Sequence, residues 1–332
     1  MQAQVRPVVT SSFKPAWWLK HAHLQTIFAK YLSPRKKQRT VAELFTLPDG
    51  DELELNWMQP SKEAANAPMV VILHGLAGNI HSHYIQGILA QCRALHWPAV
   101  LMHFRGCSGK PNRLARAYHS GEVEDARFFL RNLHAQFPNN PKVAVGISLG
   151  GNMLANYLAE YADDPLLSAA TIVSAPFDLA SCSSRIEKGF SKVYKKYLLN
   201  SLKSNALKKE KLLSEKLGIT ADTIKKIEKL YEFDDLITAP LHGFKNAQDY
   251  YAQCSALPKL NRIKLPTQII HAKDDPFMTD DVIPKFILPD NIDYRLFQKG
   301  GHVGFITGST FNPKFWLEEA LPAYYESIQD SA

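Results

Sequence analysis

The sequence predicts an α/β protein in which helices flank a mostly parallel sheet. From Met69 onward, short apolar runs typical of buried strands alternate with longer stretches typical of helices. One run leads directly into Gly146-Ile147-Ser148-Leu149-Gly150, a serine framed by glycines between a strand and a helix. The alternation stops after Pro176 and resumes at Thr267, which indicates an inserted segment. With 332 residues, 45% of them hydrophobic, the chain can bury a substantial core.

A hairpin is predicted to open the sheet. Residues 41–47 precede the turn sequence Pro48-Asp49-Gly50, and residues 52–57 then alternate between polar and apolar side chains. A period of two is typical of a strand with one buried face and one face in water. The hairpin therefore adds antiparallel strands to a sheet that is otherwise parallel.

The remaining elements follow from the alternation. The apolar runs have the length of buried strands, and the stretches between them have the length of helices. The predicted strands are residues 69–73, 99–102, 143–147, 169–173, 267–271 and 293–297. The predicted helices are residues 84–96, 122–137, 152–158 and 313–327, the last packing back on the sheet.

Three regions are predicted along the chain. Residues 1–40, which are aromatic and then basic, are interpreted as an extension packed on the core. A membrane-contacting flap is the alternative for this region, since Trp and Tyr suit interfaces. Residues 41–176 and 258–332 form the α/β core, and residues 177–257 form a helical insert. Binding sites of such sheets lie beyond the carboxyl ends of the strands, so an insert entering there would form a lid.

The formal net charge of +7 bears on possible partners. Most of the excess comes from lysines crowded between Lys188 and Lys229. No nucleic-acid-binding motif accompanies them, so nucleic acid is not predicted as a partner. A solvated helical face is the favoured interpretation. A peripheral membrane or other anionic surface is the alternative, with Lys208, Lys209 and Lys211 making the contact.

The cellular location is predicted from what the sequence lacks. The first residues have no basic-then-apolar signal pattern, and no run approaches the roughly 20 apolar residues of a membrane span. The four cysteines have no paired short spacing, so neither a disulfide framework nor a zinc motif is indicated. We therefore expect a cytoplasmic protein, with its oligomeric state left open.

Ser148 is predicted to be a nucleophile. A serine in a strand-to-helix turn adopts a cramped conformation, and small residues two positions before and after it avoid clashes. Gly146 and Gly150 supply that space, and the following helix aims its N–H groups at the same point. The alternative is a glycine-rich turn whose serine only caps the helix.

A serine hydroxyl needs an imidazole to take its proton and a carboxylate to orient the imidazole. A carboxylate and an imidazole follow the last two predicted strands, residues 267–271 and 293–297. We assign His302 as general base and then general acid, with Asp275 as the orienting carboxylate. Asp274 is a competing choice, although Pro276 favours Asp275 by fixing the next φ. Asp178, after an earlier strand, is a further substitute.

The oxyanion hole is predicted to combine two backbone N–H groups, from Leu149 and from Leu76 in the loop after residues 69–73. His74 in that loop is interpreted as a loop-shaping residue rather than a proton carrier. Ser120 is a possible helix cap.

Metal binding is not predicted. His21-Ala22-His23 and His81-Ser82-His83 place histidines near each other, but no carboxylate or cysteine at ligand spacing completes either set. Cys107 has no feature that would make it reactive. The proposed chemistry requires neither a metal nor an organic cofactor.

These motifs together resemble the α/β-hydrolase fold. His74-Gly75, the turn around Ser148, Asp274-Asp275-Pro276 and Gly301-His302 occur in the order of that family. More narrowly, the chain resembles the bacterial YheT-type esterases. That branch also holds eukaryotic phospholipase-like hydrolases and yeast ethyl-ester acyltransferases.

The narrower resemblance covers nearly the whole chain. It rests on Trp17-Trp18, His23-Leu24-Gln25-Thr26, residues 74–79, residues 104–109, Asp249-Tyr250-Tyr251 and Asp274-Asp275-Pro276-Phe277. The resemblance implies a serine esterase whose triad is Ser148, Asp275 and His302. Lipid-active relatives imply acyl esters as substrates, but the correspondence is weakest in the lysine-rich insert Lys188 to Lys229, so lipid specificity is not carried over.

Three functions are considered. The leading hypothesis is hydrolysis of short- or medium-chain or lipid-like acyl esters, small-molecule substrates that pass through an acyl-Ser148 intermediate. The second is acyl transfer to an alcohol, which uses the same triad and differs in how the site excludes water. The third is a catalytically silent binding or membrane-associated module, which would have no physical need for a serine, an acid and a histidine in this order.

Overall fold

A central sheet dominates the computed structural model, which describes residues 13–32, 37–58 and 67–329. Within that part of the chain, eight strands form one sheet and two short strands form a separate pair. The sheet contains β1 (Val41–Thr46), β2 (Glu52–Met58), β3 (Met69–Leu73), β4 (Ala99–Met102), β5 (Lys142–Ile147), β6 (Ala169–Val173), β7 (Thr267–Ala272) and β8 (Ile292–Phe297). The separate pair is β9 (Ile306–Gly308) and β10 (Pro313–Phe315).

The strands lie in the order β1-β2-β4-β3-β5-β6-β7-β8. β2 pairs antiparallel with β1 and with β4, whereas each pair from β4 to β8 is parallel. This arrangement confirms the predicted α/β class, with its mostly parallel sheet and opening hairpin. The bounds of β3 to β8 agree with the predicted strands to within one residue at each end.

Helices alternate with the strands and fill the segment between β6 and β7. The helices are α1 (Ala22–Tyr31), α2 (His83–Ala94), α3 (Glu124–Gln136), α4 (Leu149–Glu160), α5 (Leu179–Ile186), α6 (Ser191–Lys208), α7 (Glu210–Leu217), α8 (Ala221–Lys226), α9 (Leu230–Phe233), α10 (Ala239–Leu241), α11 (Ala247–Cys254) and α12 (Trp316–Gln329). A π-helix spans Asp234–Thr238, and 3-10 helices span Leu257–Arg262 and Asp280–Val282.

Both faces of the sheet are covered. Every residue of β3 to β7 is buried, which is why most of these strands appear in the sequence as largely apolar runs. One face carries α3 and α4, which contribute Phe129 and Met153 to its core. The other face carries α2 and α12, which contribute Leu89 and Leu321. The carboxyl ends of the strands remain available for loops that carry functional groups.

The segment between β6 and β7, which the structure describes in full, consists of helices joined by short connections, contains no strand, and has an apolar core of its own. Ile186, Leu199, Ile224 and Phe233 belong to this core. Phe277, in the loop after β7, packs against both this cluster and the core of the sheet. These helices occupy the region that the sequence predicts as an insert.

Two local predictions are wrong. Residues 313–315 form β10 by pairing with β9, so the last helix begins only at Trp316. Ser120 does not cap α3, because Val123 holds the N-cap position without a side-chain bond. The hydroxyl of Ser120 instead accepts a hydrogen bond of 2.8 Å from Asn152 Nδ2.

The predicted extension 1–40 lies partly outside the described residues, which omit 1–12 and 33–36. Of the described part, Phe13 is buried against Phe297 and Phe305, with ring centroids 5.2 Å and 5.6 Å away. Trp17 is 68% exposed. The start of the described chain therefore packs on the sheet core through one aromatic ring while presenting another to solvent.

One lysine contradicts the prediction of a solvated face for the insert. Lys209 is only 7% exposed, whereas the lysines at 208 and 211 are exposed. Its Nζ lies 2.8 to 3.1 Å from four oxygen atoms of residues 112–116, because the end of α6 points it into that loop. Lys209 is therefore a structural contact rather than part of an external charged surface. Among all the helices of the described chain, none combines the length and apolar character needed to cross a bilayer.

Candidate active site

Ser148 occupies the sharp turn between β5 and α4. Its φ of 54° and ψ of −119° are rare for a residue with a side chain and require support from the surrounding structure. Part of that support is a hydrogen bond of 2.8 Å from its N–H to the carbonyl of Val173 in β6. The serine therefore stands at the carboxyl end of the sheet and directly before a helix N-terminus.

The glycines around Ser148 are required by close backbone contacts. A Cβ on Gly146 would lie 2.6 Å from the carbonyl oxygen of Gly150. A Cβ on Gly150 would lie 2.5 Å from the carbonyl oxygens of Leu73 and His74. Distances this short are not tolerated, so the turn needs glycine at both positions, as the sequence pattern predicts.

Two loops bring an imidazole and a carboxylate to Ser148. His302, in the loop after β8, has Nε2 3.0 Å from Ser148 Oγ. Its Nδ1 lies 2.8 Å from Oδ2 of Asp275, in the loop after β7. The other oxygen of Asp275 accepts a bond of 2.8 Å from the N–H of Phe277. The three residues assigned from the sequence thus form one hydrogen-bonded series, although residues 148 and 302 are far apart in the chain.

The two other candidate acids make different contacts. Asp274 accepts a bond of 2.9 Å from the N–H of Gly301, and burial raises the pKa of this carboxyl. Asp178 is the N-cap of α5 and accepts a bond of 2.8 Å from the N–H of Ser181. In the described structure, only Asp275 of these acids forms a hydrogen bond with His302.

Two backbone N–H groups are available beside the serine turn. Within the described chain, the N–H groups of Leu149 and Leu76 donate to no protein acceptor. Leu149 is the first residue of α4, where the helix dipole favours negative charge. The residues on either side of Leu76 donate instead to the hydroxyls of Tyr84 and Tyr118, at 3.1 and 3.2 Å. These bonds fix the loop and leave the N–H of Leu76 for a ligand.

His74 is fully buried and bonded at both ring nitrogens. Its Nδ1 lies 2.7 Å from the carbonyl oxygen of Gly75, and its Nε2 accepts a bond of 3.1 Å from the N–H of Phe104. Burial lowers the pKa of His74 to about 3, so its ring is neutral at ordinary pH. Both contacts are with backbone, and they shape the loop that carries Leu76.

Helix α1 supports the loop of the candidate base, a role that no sequence pattern indicated. The Thr26 hydroxyl accepts a bond of 2.9 Å from the N–H of His302. The Gln25 amide bonds both the N–H and the carbonyl of Ile306, at 2.7 and 3.1 Å. A Cβ on Gly301 would lie 2.6 Å from a carbonyl oxygen of this helix. Close contact with α1 therefore explains the glycine before His302.

An aromatic stack covers the imidazole. The ring of Phe277 lies 4.0 Å from that of His302 with an interplanar angle of 19°. Tyr194, on α6, stacks on Phe277 at 4.9 Å, and its hydroxyl lies 3.1 Å from Nδ1 of His23. Burial raises the pKa of Tyr194 to about 12. The helical insert thus contacts the candidate base through the rings of Tyr194 and Phe277. The positions of these residues in the sequence do not indicate this contact.

A cavity of about 490 Å³ joins the candidate site to the helical insert. Ser148, His302, Leu76 and Leu149 lie on its wall. Much of the remaining wall is apolar and comes from α1, α5, α6 and the segment around the π-helix, including Ile27, Ile186, Leu198, Leu202, Phe233 and Ile237. Its volume is in the range of small-molecule binding sites.

The histidine pairs and the cysteines have structural surroundings. Nδ1 of His21 accepts a bond of 3.3 Å from the N–H of His23 at the start of α1. In the described part of the chain, no three His, Cys, Asp or Glu side chains are grouped so that they could hold a metal ion. All four cysteines are unpaired and buried, and burial raises the pKa of Cys107 to about 12.

The fold and the site geometry define a hydrolase of the α/β class. The family model described as the α/β-hydrolase fold matches residues 68–309, and the chain belongs to this family. The chain is 48% identical to the Escherichia coli (strain K12) protein named "Putative esterase YheT", over 94% of this chain and 92% of that protein.

More distant relatives carry lipid-related names. The chain is 26% identical to the human protein "Phospholipase ABHD3", over 97% of this chain and 80% of that protein. It is 29% identical to "Monoacylglycerol lipase" of Saccharomyces cerevisiae, over 79% of this chain and 60% of that protein. A solved structure of the Pyrococcus furiosus esterase Pf2001 superposes with a TM-score of 0.58 at 15% identity, covering 88% of this chain and 91% of that one. At this identity the superposition bears on the fold alone.

Proposed function

We propose that this hydrolase is a serine carboxylesterase in which Ser148 is the nucleophile, His302 the general base and acid, and Asp275 the orienting carboxylate. The observation that carries the proposal is the paired contact of His302, 3.0 Å to the serine oxygen on one side and 2.8 Å to the carboxylate on the other. This is the spacing that proton transfer from a nucleophilic hydroxyl requires.

The reaction follows from these contacts. Ser148 Oγ attacks the carbonyl carbon while its proton passes to Nε2 of His302, and the N–H groups of Leu76 and Leu149 stabilise the oxyanion. The ester bond then breaks, and the alcohol leaves with the proton from His302. Water, deprotonated by the same ring, attacks the acyl-serine, releases the carboxylic acid and regenerates Ser148. Asp275 stabilises the imidazolium in both steps.

The substrate class is proposed from the cavity. A largely apolar wall beside the nucleophile favours an ester with a substantial acyl chain, because burial of each CH₂ contributes about 0.8 kcal/mol. The lipid-related names of two relatives agree with an acyl ester of short or medium chain or a lipid-like ester. Hydrolysis is favoured over acyl transfer here because the Escherichia coli relative at 48% identity carries the name "Putative esterase YheT".

A set of aryl esters with acyl chains from acetyl to palmitoyl tests the proposal. The purified wild-type chain is expected to hydrolyse some of them, with a maximum at one chain length, and the Ser148→Ala variant is expected to hydrolyse none above background. Ser204→Ala, which changes an exposed serine that is not on the cavity wall, is the matched control and should keep aryl ester turnover. Turnover by Ser148→Ala equal to wild type would refute the assignment.

The same assay separates hydrolysis from acyl transfer. With ethanol or glycerol present, an acyltransferase would form new ester in excess of free acid. The proposal of an esterase expects free acid as the main product. If new ester were the main product, the proposed reaction would be acyl transfer instead of hydrolysis. The roles proposed for Ser148, His302 and Asp275 would stay the same.

A further inference from the structure

Besides the candidate catalytic residues, the cavity wall carries a group of hydrogen-bonded polar side chains around Asp234. Asp234 begins the π-helix and lies on the cavity wall. Its Oδ1 accepts a bond of 2.8 Å from the Thr238 hydroxyl, and its Oδ2 accepts one of 2.7 Å from the Tyr251 hydroxyl. The Tyr251 oxygen is also 3.1 Å from Oγ of Ser183. All four side chains line the same cavity, so they form one polar patch, the Asp234 patch.

Asp234 is an unusual residue for this position. Of the described residues on the cavity wall it is the one carboxylate, and it forms no ion pair within the described chain. Burial raises the pKa of its carboxyl to about 6, which is the sign of a charge held at a cost. A carboxylate offers about four lone-pair positions, and the two neutral hydroxyls use only part of them. Because Asp234 lies on the cavity wall, its remaining acceptor capacity is available to a ligand.

The surroundings of the patch indicate which group it binds. Leu230, Phe233, Ile237 and Leu241 line the cavity around it, so an apolar chain placed against the patch would bury the carboxylate and leave its remaining acceptor capacity unused. The group that binds there must therefore donate a hydrogen bond to Asp234.

A hydroxyl suits the patch better than a cation does. The hydroxyls of Thr238, Tyr251 and Ser183 can each donate and accept, so a ligand hydroxyl can both donate to Asp234 and accept from one of them. A neutral hydroxyl also costs less to transfer from water into these apolar surroundings than an ammonium group does. The charged side chains that share the cavity wall with Asp234 are Lys30, Arg105 and Lys209, all positive. Asp234 is therefore the one anionic side chain that a cationic ligand would find on the described wall.

We propose that the Asp234 patch binds a free hydroxyl on the alcohol part of the substrate, so that the favoured substrate is a partial ester of a polyol. Other parts of the wall, including Ile27, Val193 and Leu202, are apolar and suit the acyl chain. This inference rests on the proposed esterase activity and specifies the alcohol that the reaction releases. The patch is a specificity site and takes no part in breaking the ester bond.

Two esters of one acyl chain, octanoylglycerol and methyl octanoate, test the inference. The first carries two free hydroxyls and the second none, while the acyl part is the same. The wild-type chain is expected to show a kcat/KM about 10-fold or more higher for the glyceryl ester. In Asp234→Asn, kcat/KM for the glyceryl ester should fall about 10-fold, mainly through a higher KM, because the substrate hydroxyl loses its charged hydrogen-bond acceptor. For methyl octanoate the value should change less than about 2-fold.

Asp235→Asn is the matched control, because the neighbouring carboxylate accepts a bond of 2.8 Å from the N–H of Ala247 and is not on the cavity wall. It should leave the ratio of the two esters unchanged. If Asp234→Asn does not fold, Ser183→Ala provides the same comparison, with an expected loss of about 3-fold or more for the glyceryl ester alone.

The possible failures can be told apart. The polyol inference would be overturned if Asp234→Asn lowered kcat/KM equally for both esters, or if the wild-type ratio of the two kcat/KM values were near one. The esterase proposal would still stand in that case, provided that the turnover of methyl octanoate depended on Ser148. Absence of Ser148-dependent turnover for both esters and for the aryl series would instead overturn the proposed function itself.

Discussion

Asp275 uses both carboxylate oxygens, one on the imidazole of His302 and one on the N–H of Phe277. This pairing fixes the carboxylate in the plane where it can orient the ring. Asp274, the next residue back, bonds the backbone of Gly301 instead and supports the same loop from another direction. Adjacent acids therefore have different tasks, one toward the side chain of His302 and one toward its loop.

Substitution of each acid by its amide separates these tasks. Asp275→Asn is expected to lower kcat by about a thousandfold or more, because the amide no longer stabilises the imidazolium and favours the wrong tautomer. Asp274→Asn can still accept from the N–H of Gly301 and should lower kcat by less than about 10-fold. Steady-state kinetics on one aryl ester decides between them. The reverse order of losses would assign the orienting role to Asp274.

Thr26 is expected to be a positioning residue for the base. Thr26→Val keeps the shape but removes the acceptor for the N–H of His302, so kcat should fall about 3- to 10-fold with little change in KM. Thr26→Ser restores the oxygen and should restore kcat. A merely structural role would not distinguish serine from valine in this way. Equal activity of the valine and wild-type chains would remove the assignment.

At the scale of elements, a charged network connects the insert to the sheet. Arg105, after β4, pairs with Asp125 of α3 through two bonds of 2.7 Å and lies 2.8 Å from Asp51 at the start of β2. Asn112 bonds Asp51 at 2.6 Å and Lys209 at 2.8 Å. Because every member is buried, each polar group depends on the others, and the end of α6 is anchored to the core through this series.

The buried contact of Lys209 with residues 112–116 predicts different free energies of unfolding for variants at Lys208 and Lys209. Lys209→Met removes the ammonium from four oxygen atoms and should lower the free energy of unfolding by about 1–3 kcal/mol. Lys208→Met changes an exposed side chain and should stay within about 0.5 kcal/mol of wild type. Urea denaturation followed by circular dichroism measures both. Equal stabilities for the two variants would contradict the buried anchor.

The sequence predicted elements better than it predicted contacts between them. The buried strands could be located because a parallel strand is apolar on both faces, and the order of Ser148, Asp275 and His302 follows from the loops of this fold. The support of His302 by Thr26 could not be predicted, since it joins positions 276 residues apart. The burial of Lys209 was missed for a related reason, because composition cannot show which of many lysines points inward.

At the scale of the whole molecule, the cavity lies beside two helices with exposed apolar faces. On α1 these residues are Leu24, Phe28 and Tyr31, and on α6 they are Val193 and Tyr197. Neither helix contains an acidic residue, and Lys30 of α1 lies over the Tyr197 ring, 5.2 Å from its centroid. Tyr31, Val193 and Tyr197 also line the cavity. An apolar surface with only positive charges complements an anionic lipid surface.

Vesicle sedimentation tests this surface. We expect the chain to sediment with vesicles that contain phosphatidylserine and to do so less with phosphatidylcholine alone. The double variant Val193→Ser/Tyr197→Ser should reduce sedimentation at least several-fold, because it removes apolar area from the contact. Lys208→Gln/Lys211→Gln, on the exposed part of the insert, is the matched control. Stronger loss in the control than in the apolar variant would move the contact to the lysine-rich segment.

The nucleophile can be identified directly by mapping the site of a covalent adduct. After treatment with a fluorophosphonate probe, peptide mass spectrometry of the wild-type chain should find the adduct on Ser148. The adduct should be absent in Ser148→Ala and retained in Ser204→Ala, which changes an exposed serine away from the cavity wall. A stoichiometric adduct on another residue, with ester turnover persisting in Ser148→Ala, would contradict an acyl-enzyme on Ser148.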